Sequence, residues 1–142
     1  MRLSDEEARG RFGAARVAYL ATVRRSGAPH IVPIVFALDA DRLYSIADPK
    51  PKQGPDLLRF RNIAAQPKVS LLVDAYQEDW KRLWWVRIDG SAAILEEGPD
   101  REHAIELLRA KYPQYATWTT PFGAAMVVNL ERWSSWALSA HP

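Results

Sequence analysis

Apolar and polar positions along the chain first predict a series of β-strands. Six runs are rich in β-branched and aromatic residues, and they lie at 16–23, 30–38, 42–47, 68–76, 82–95 and 124–138. Short polar turns, SGAP at 26–29 and DAD at 39–41, separate the first three runs. We expect a bulge near Gly90 in the fifth strand and a kink near 132–135 in the last.

Three other segments have helical patterns. Ser4 followed by Glu7 is a capping box and predicts a short first helix. LLRFRNIAAQ at 57–66 has apolar residues at i, i+3 and i+4 spacing, as does DREHAIELLRAKY at 100–112, which we expect to end at Pro113. Six strands with one helix inserted after the third and another before the last predict a small antiparallel β-barrel with peripheral helices.

Length and composition are those of one globular domain. The chain has 142 residues, of which 48% are hydrophobic and 25% charged, so we expect a single domain over 1–142. No run approaches the roughly 18 consecutive apolar residues of a membrane helix. The first residues, MRLSDEEARGRF, carry charges where a secretory signal needs its apolar region. These features predict a cytoplasmic protein without membrane association.

Several kinds of chemistry have no support in the sequence. The absence of cysteine excludes disulfides, thiolate metal sites and iron–sulfur clusters. His30, His103 and His141 are scattered without metal-ligand spacing, and no phosphate-binding loop or nucleophile motif occurs. We therefore expect neither a metal site nor a catalytic side chain. A net charge of only +2 argues against nucleic acid as a partner.

A basic segment after the third strand is the first candidate binding site. Lys50 and Lys52 alternate with Pro49 and Pro51, which fix φ and leave the two lysines little backbone freedom to lose on meeting an anion. A helix that begins near Pro55 adds unpaired N–H groups to the same region. This pattern favours a phosphate site, although a charged run of this kind is also typical of a solvated surface.

Tryptophans supply the second candidate feature. The chain has six, and the adjacent Trp84 and Trp85 on one strand must point to opposite faces. The one that faces outward, near Arg87, suits either a dimer interface or a flat aromatic ligand. A cofactor with both a planar ring and a phosphate satisfies the aromatic strand and the basic segment together.

Four segments in this order resemble a known family: ATVRRSGAPHIVPIVFAL, SIADPKPK, LRFRNIAAQPKVSLLVD and DWKRLWWVRIDG. Together they are similar to the split β-barrel flavin and deazaflavin oxidoreductases related to pyridoxamine 5'-phosphate oxidase. Within that group the chain most resembles the coenzyme F420-dependent branch. The resemblance extends from about residue 4 to residue 138.

The resemblance implies an FMN-binding type of split barrel that forms a homodimer, with the cofactor in a groove between two barrels. The groove residues that it implies are Lys50 and Lys52 at the phosphate end, Ser45, Ile46 and Ala47 beside the ring, Asp56 and Leu57 at the helix start, Val32 and Pro33 on a neighbouring strand, and Trp84, Trp85 and Arg87 at the side. Relatives commonly carry hydroxyl or basic residues at positions corresponding to 53–55, where this chain has Gln, Gly and Pro. Phosphate binding by side chains is therefore expected to be weaker here, or to rest on backbone N–H groups.

The activity implied is hydride transfer between reduced coenzyme F420 and a small organic acceptor. Such a cofactor supplies the chemistry itself, so the protein needs only to position it and exclude water. Two alternatives remain open at this stage. One is an FMN-dependent enzyme of the pyridoxamine 5'-phosphate oxidase type, and the other is a non-catalytic dimer that binds a cofactor without turnover.

Overall fold

One antiparallel sheet organises this computed structural model, which describes residues 1–48, 57–119 and 121–139. The strands are β1 (Ala18–Val23), β2 (Pro29–Ile34), β3 (Ala37–Asp39), β4 (Arg42–Ile46), β5 (Lys68–Ala75), β6 (Trp84–Leu95) and β7 (Ala125–Ala137). They lie in the order β2-β1-β5-β6-β7-β4-β3, and all neighbours pair antiparallel. The predicted class, mainly β with peripheral helices, is confirmed.

The helices are α1 (Asp5–Ala14), α2 (Leu58–Ala65), α3 (Pro99–Lys111) and α4 (Pro113–Ala116), with a short 3-10 turn at Trp80–Arg82. The Ser4 hydroxyl accepts a hydrogen bond of 3.1 Å from the Glu7 N–H, as the capping pattern predicts. Pro113 ends α3 as expected but also begins the unpredicted α4, where its missing N–H costs nothing in the first turn. Among the described residues no helix is long and apolar enough to span a bilayer.

The prediction of one strand over 30–38 is wrong, because this segment bends at Val35 and Phe36. Its first part, β2, pairs with β1, whereas its second part, β3, pairs with β4 at the opposite edge of the sheet. Side chains satisfy the peptide groups at the bend: the Ser45 hydroxyl donates to the Val35 carbonyl at 2.8 Å, and the Phe36 N–H donates to the Tyr112 hydroxyl at 3.2 Å. The sheet therefore has seven strands instead of six.

The irregularity predicted near Gly90 is present, but the extra residue lies on β7 and not on the strand that contains Gly90. Asp89 pairs with Arg132 and Gly90 with Leu130, so Glu131 is the extra residue on β7. This irregularity lies one residue before the stretch predicted to kink, and pairing is regular from Arg132 to the end of β7. A Cβ atom on Gly90 would collide with the backbone oxygen of Asn129, so the close approach of the two strands requires glycine.

The main core lies between the inner face of the sheet and the helices. Phe12 of α1 is fully buried, and its ring makes edge contacts with Phe36 at 5.2 Å and with Trp133 at 5.9 Å between centroids. Leu20 and Ile88 are also fully buried on the inner face of their strands. Because successive side chains of a strand point to opposite faces of the sheet, the other face of β1, β2, β5 and β6 lies outside this core.

Lys111, at the end of α3, reaches the bend between β2 and β3. Its Nζ donates to the Phe36 carbonyl at 3.0 Å and lies 3.8 Å from the centroid of the Phe36 ring. Burial, together with the nearby charge of Arg16, lowers the pKa of Lys111 from 10.5 to about 8. The folded protein therefore holds this proton less tightly than the unfolded chain does.

We expect this lysine to make stability depend on pH. Below pH 8 the amine is protonated in both states, whereas between pH 8 and 10.5 the unfolded chain binds more protons and the free energy of unfolding rises with pH. After allowance for solvent screening, the rise should be about 1 to 2 kcal/mol in urea titrations up to pH 10. Lys111→Met should remove it, and a similar rise in that variant would contradict the assignment.

Candidate functional site

The end of β4 is closed on one side and open on the other. The Ala47 N–H donates to the Ala124 carbonyl at 2.9 Å, and the Ala47 carbonyl accepts from the Gly123 N–H at 3.2 Å. A Cβ atom on Gly123 would lie 2.9 Å from the Ala47 Cβ, so glycine permits this close approach. The N–H and the C=O of Ala47 are therefore both hydrogen-bonded to the segment before β7 and are not available to a ligand.

The backbone N–H and C=O of Ile46 point to the opposite side of β4 from those of Ala47. Peptide groups of successive residues in a strand point to alternate sides, so the N–H and C=O of Ile46 point away from β7. On that side β3 pairs with β4 only as far as Tyr44. The backbone of Ile46 therefore has no strand partner on that side among the described residues, although the residue itself is only 2% exposed.

A polar cluster lies next to this edge. Tyr115 of α4 donates its hydroxyl to the Asp48 carboxylate at 3.1 Å. Burial, with the negative charge of Asp48, raises the pKa of Tyr115 well above its ordinary value, so the hydroxyl stays protonated. Arg59 of α2 is half-buried, and burial lowers the pKa of its guanidinium, although Asp48 and Tyr115 oppose the shift.

Arg59 is therefore a cation whose desolvation is incompletely compensated. A guanidinium in such a place is stabilised further by any anion that binds beside it. Arg59 lies in the first turn of α2, two residues after Leu57, which is partly buried against the main core. The segment that contains Lys50, Lys52 and Asp56 joins β4 to α2, and these three predicted residues lie outside the described residues.

Trp85 and Arg87 lie on the outer face of the sheet. They line a cavity of about 350 Å³ together with Leu72, Tyr76 and Trp136. The Arg87 guanidinium carbon lies 5.5 Å from the centroid of the Trp85 ring. This wall offers aromatic surface for a planar ligand, with the cation of Arg87 and the carboxylate of Asp74 at its border.

Trp84 points the other way and packs against the main core, where the Arg11 guanidinium carbon lies 5.4 Å from its ring centroid. The prediction that the adjacent tryptophans take opposite faces is confirmed. Trp84 also borders the outer cavity at its rim. Its main contribution is to fix the start of β6.

The predicted residues of β2 are also divided between two faces. Val32 packs against the main core, whereas Pro33 is exposed and shares a row of paired positions with Tyr19, Leu72 and Arg87. Pro33 therefore belongs to the outer face that carries Trp85, and Val32 belongs to the inner face.

The two main groups of predicted residues do not meet within one chain. Ile46 pairs with Ala125, which pairs with Leu95 at the end of β6, whereas Trp85 lies near the start of that strand. The ten residue steps from Trp85 to Leu95 correspond to about 33 Å of extended strand. A single chain thus presents two separate half-sites, one at the end of β4 and one at the start of β6.

Sequence reasoning missed part of the β4 half-site. It selected none of Arg59, Asp48 and Tyr115 as a site residue. Asp48 and Tyr115 are 67 residues apart, and their contact depends on how α4 packs beside β4. Only the charge of Arg59 beside an N-terminal helical turn gave a signal in the sequence.

Comparisons with known proteins agree with this architecture. A FAD-binding protein from Mesorhizobium loti is 24% identical, with a TM-score of 0.71 and coverage of 95% of each chain. A conserved hypothetical protein from Mycobacterium tuberculosis is 19% identical, with a TM-score of 0.77 and coverage of 96% of this chain and 86% of its own. A heme binding protein from Mycobacterium smegmatis is 21% identical, with a TM-score of 0.70 and coverage of 96% of this chain and 55% of its own.

At these identities the solved structures show a shared fold. No match to the chain is found among curated proteins. The sequence pattern of the pyridoxamine 5'-phosphate oxidase family matches residues 4–137, almost the whole chain, which confirms the predicted split barrel. The chain belongs to the pyridoxamine 5'-phosphate oxidase family.

Proposed function

We propose that this protein is a coenzyme F420-dependent oxidoreductase that transfers a hydride between the reduced deazaflavin and a small organic acceptor. The cofactor lies between two copies of the chain, each of which supplies one half-site. The observation that carries the proposal is the edge of β4 at Ile46, which has no described strand partner, near the partly buried cation Arg59. Together they offer backbone hydrogen bonds for a planar ring and a positive charge for an anionic group.

The outer face of the sheet supports the two-copy arrangement. Ile31 is 64% exposed and Tyr19 is 43% exposed, and Leu72, Trp85 and Trp136 continue the apolar surface across neighbouring strands. A contiguous apolar patch of this kind marks an interaction surface. A second copy related by a two-fold axis covers it with its own equivalent face.

The same two-fold arrangement supports a complete site. If the partner's β6 start lies against the β4 end of the first copy, the half-site with Arg59 meets the half-site with Trp85 and Arg87. Neither half has both a backbone edge and an aromatic wall by itself. This division explains why one chain shows no enclosed cavity that combines them among its described residues.

Each described residue then has a defined task. Ile46 offers its N–H and C=O to the ring edge, Arg59 binds an anionic group, and Trp85 covers the ring and excludes water. The deazaflavin itself supplies the hydride chemistry. Tyr115 holds Asp48, and thereby keeps the carboxylate in a fixed position beside Arg59. Lys50 and Lys52 remain the proposed partners of the phosphate.

A flavin is the second candidate for the ring. The family assignment and the FAD-binding neighbour from Mesorhizobium loti favour it. Protein purified from an ordinary host should then be yellow, because FMN is present there and the deazaflavin is absent. An absorption spectrum distinguishes the two, and a haem Soret band would contradict both and point to the ligand named for the Mycobacterium smegmatis neighbour.

Arg59→Gln is expected to weaken coenzyme F420 binding about tenfold or more, because a charge-assisted hydrogen bond contributes roughly 1.5 to 3 kcal/mol. Lys50→Ala and Lys52→Ala should each have an effect of the same order. Fluorescence titration of the purified protein with F420, and in parallel with FMN, measures the affinities.

Arg109→Gln is the matched control for the arginine change, because this exposed residue of α3 lies against Phe122 instead of the β4 edge. Its affinity for F420 should equal that of the unchanged protein. Unaltered binding in Arg59→Gln and both lysine variants would place the anionic group elsewhere. Tight binding with no turnover of any tested acceptor would favour the non-catalytic dimer.

A further inference from the structure

A second cationic feature lies away from both half-sites. A cleft of about 510 Å³ between the turn that joins β1 to β2 and helix α2 is lined by three arginines, Arg24, Arg25 and Arg61. The remaining described lining residues are Ser26, Leu58, Asn62 and Ala64, so no carboxylate of a described residue borders the cleft. A volume of this size accommodates a small organic ligand.

The three arginines have no compensating partners within the described ranges. Other arginines commonly pair with a carboxylate, as Arg11 does with Glu7 and Arg42 with Asp100. None of the three guanidinium groups in the cleft forms a hydrogen bond or ion pair with a described residue. Three like charges that line one cleft with no acid among the described residues around it weaken the fold slightly, so a purely structural role does not account for them.

Fixed backbone elements hold these arginines in place. In the turn, the Arg24 N–H donates to the Ala28 carbonyl at 2.9 Å, and Gly27 takes a φ of +89° that favours glycine. On the other side, Asn62 donates to the Thr22 hydroxyl at 3.0 Å in a buried hydrogen bond that ties α2 to β1. The backbone walls of the cleft therefore keep their separation, so an anion has to order only the exposed side chains of the arginines.

The cleft is distinct from the proposed cofactor site. Arg59 and Arg61 are two residues apart on α2, and side chains at that spacing point to different sides of a helix. Arg59 interacts with Asp48 and Tyr115, whereas Arg61 borders the cleft with Arg24 and, on its other side, a separate cavity beside Gly123 and Ala124. Of the residues assigned to the cofactor groove, none that the structure describes lines the cleft.

We propose that this cleft binds a free multivalent oxyanion, a small molecule that carries two or more phosphate or carboxylate groups. Guanidinium groups match such oxygens through paired, charge-assisted hydrogen bonds. The Ser26 hydroxyl accepts from the Ala28 N–H at 3.3 Å and can still donate its own hydrogen to a ligand oxygen. The site does not depend on the identity of the redox cofactor.

Isothermal titration of the full-length protein without added cofactor tests the proposal, with pyrophosphate and citrate as probes at constant ionic strength. Binding of either probe to one site per chain is expected, and their relative affinity shows whether phosphate or carboxylate is preferred. Arg24→Gln and Arg61→Gln should each weaken binding about tenfold. Arg82→Gln, an exposed arginine outside the cleft, loses the same charge and should leave the affinity unchanged.

Three results would overturn the proposal. The first is the absence of binding beyond the effect of ionic strength, and the second is equal loss in Arg82→Gln and the cleft variants, which indicates only general charge attraction. The third is a loss of F420 affinity in Arg24→Gln and Arg61→Gln without any binding of pyrophosphate or citrate, which would assign these arginines to the cofactor. Because the probes are titrated without cofactor, failure of the F420 proposal leaves this test intact.

Discussion

Tyr19→Asp is expected to dissociate the dimer and, with it, to abolish tight cofactor binding. Tyr19 lies near the middle of the exposed outer face, in one row with Pro33, Leu72 and Arg87. In the separated chain the new carboxylate is hydrated, so the fold should survive. A two-fold interface contains two copies of this carboxylate, and each is buried without a partner. Burial of each costs about 3 to 5 kcal/mol, so the dimer dissociation constant should rise at least about a hundredfold.

Sedimentation analysis over a range of protein concentrations measures the dimer, and fluorescence titration with F420 measures the cofactor. Ala110→Asp on α3 is the control, because it adds the same charge at an exposed position away from the sheet. The urea transition of the Tyr19→Asp chain shows whether the monomer remains folded. An unchanged dimer in that variant would exclude the outer face as the contact surface.

Local signals explain why most elements could be predicted from the sequence. Ser4 and Glu7 act within one helical turn, and Gly90 marks a bulge because only glycine allows the backbone of Asn129 to approach so closely. The opposite faces of Trp84 and Trp85 follow directly from the two-residue period of a strand. Each of these inferences needs only residues near one another in the chain.

The division between β2 and β3 could not be predicted in the same way. The apolar pattern continues through Val35 and Phe36, and the bend depends on hydrogen bonds from Ser45 and to Tyr112. Tyr112 lies 76 residues after Phe36. Such a break is decided by tertiary contacts and leaves no periodic signal in the segment itself.

The candidate site was predicted in two halves for a related reason. The SIADPKPK segment indicated the end of β4, and the aromatic strand indicated β6, but their separation within one chain follows only from the pairing of β4, β7 and β6. The role of Arg59 was missed because its burial beside Asp48 and Tyr115 is a property of the folded chain. Sequence alone therefore identified the parts of the site but not how they are arranged.

The central claim is that each cofactor site takes the end of β4 from one copy and the start of β6 from the other. Arg59→Glu removes the positive charge of the first half-site, and Arg87→Glu removes that of the second. Each variant alone should remain a dimer and lose most of its affinity for F420. In a mixed dimer one copy carries Arg59→Glu and the other carries Arg87→Glu. Both substitutions then fall in one of the two cofactor sites, and the other site keeps Arg59 and Arg87 unchanged.

The most direct measurement is the F420 stoichiometry of that mixed dimer, isolated by two different affinity tags after the variants are produced together. We predict one high-affinity cofactor per mixed dimer, with the affinity of the unchanged protein, although neither parent variant binds tightly. A mixed dimer that binds no more cofactor than its parents would show that the two half-sites never form one site across the interface, and the account would be wrong.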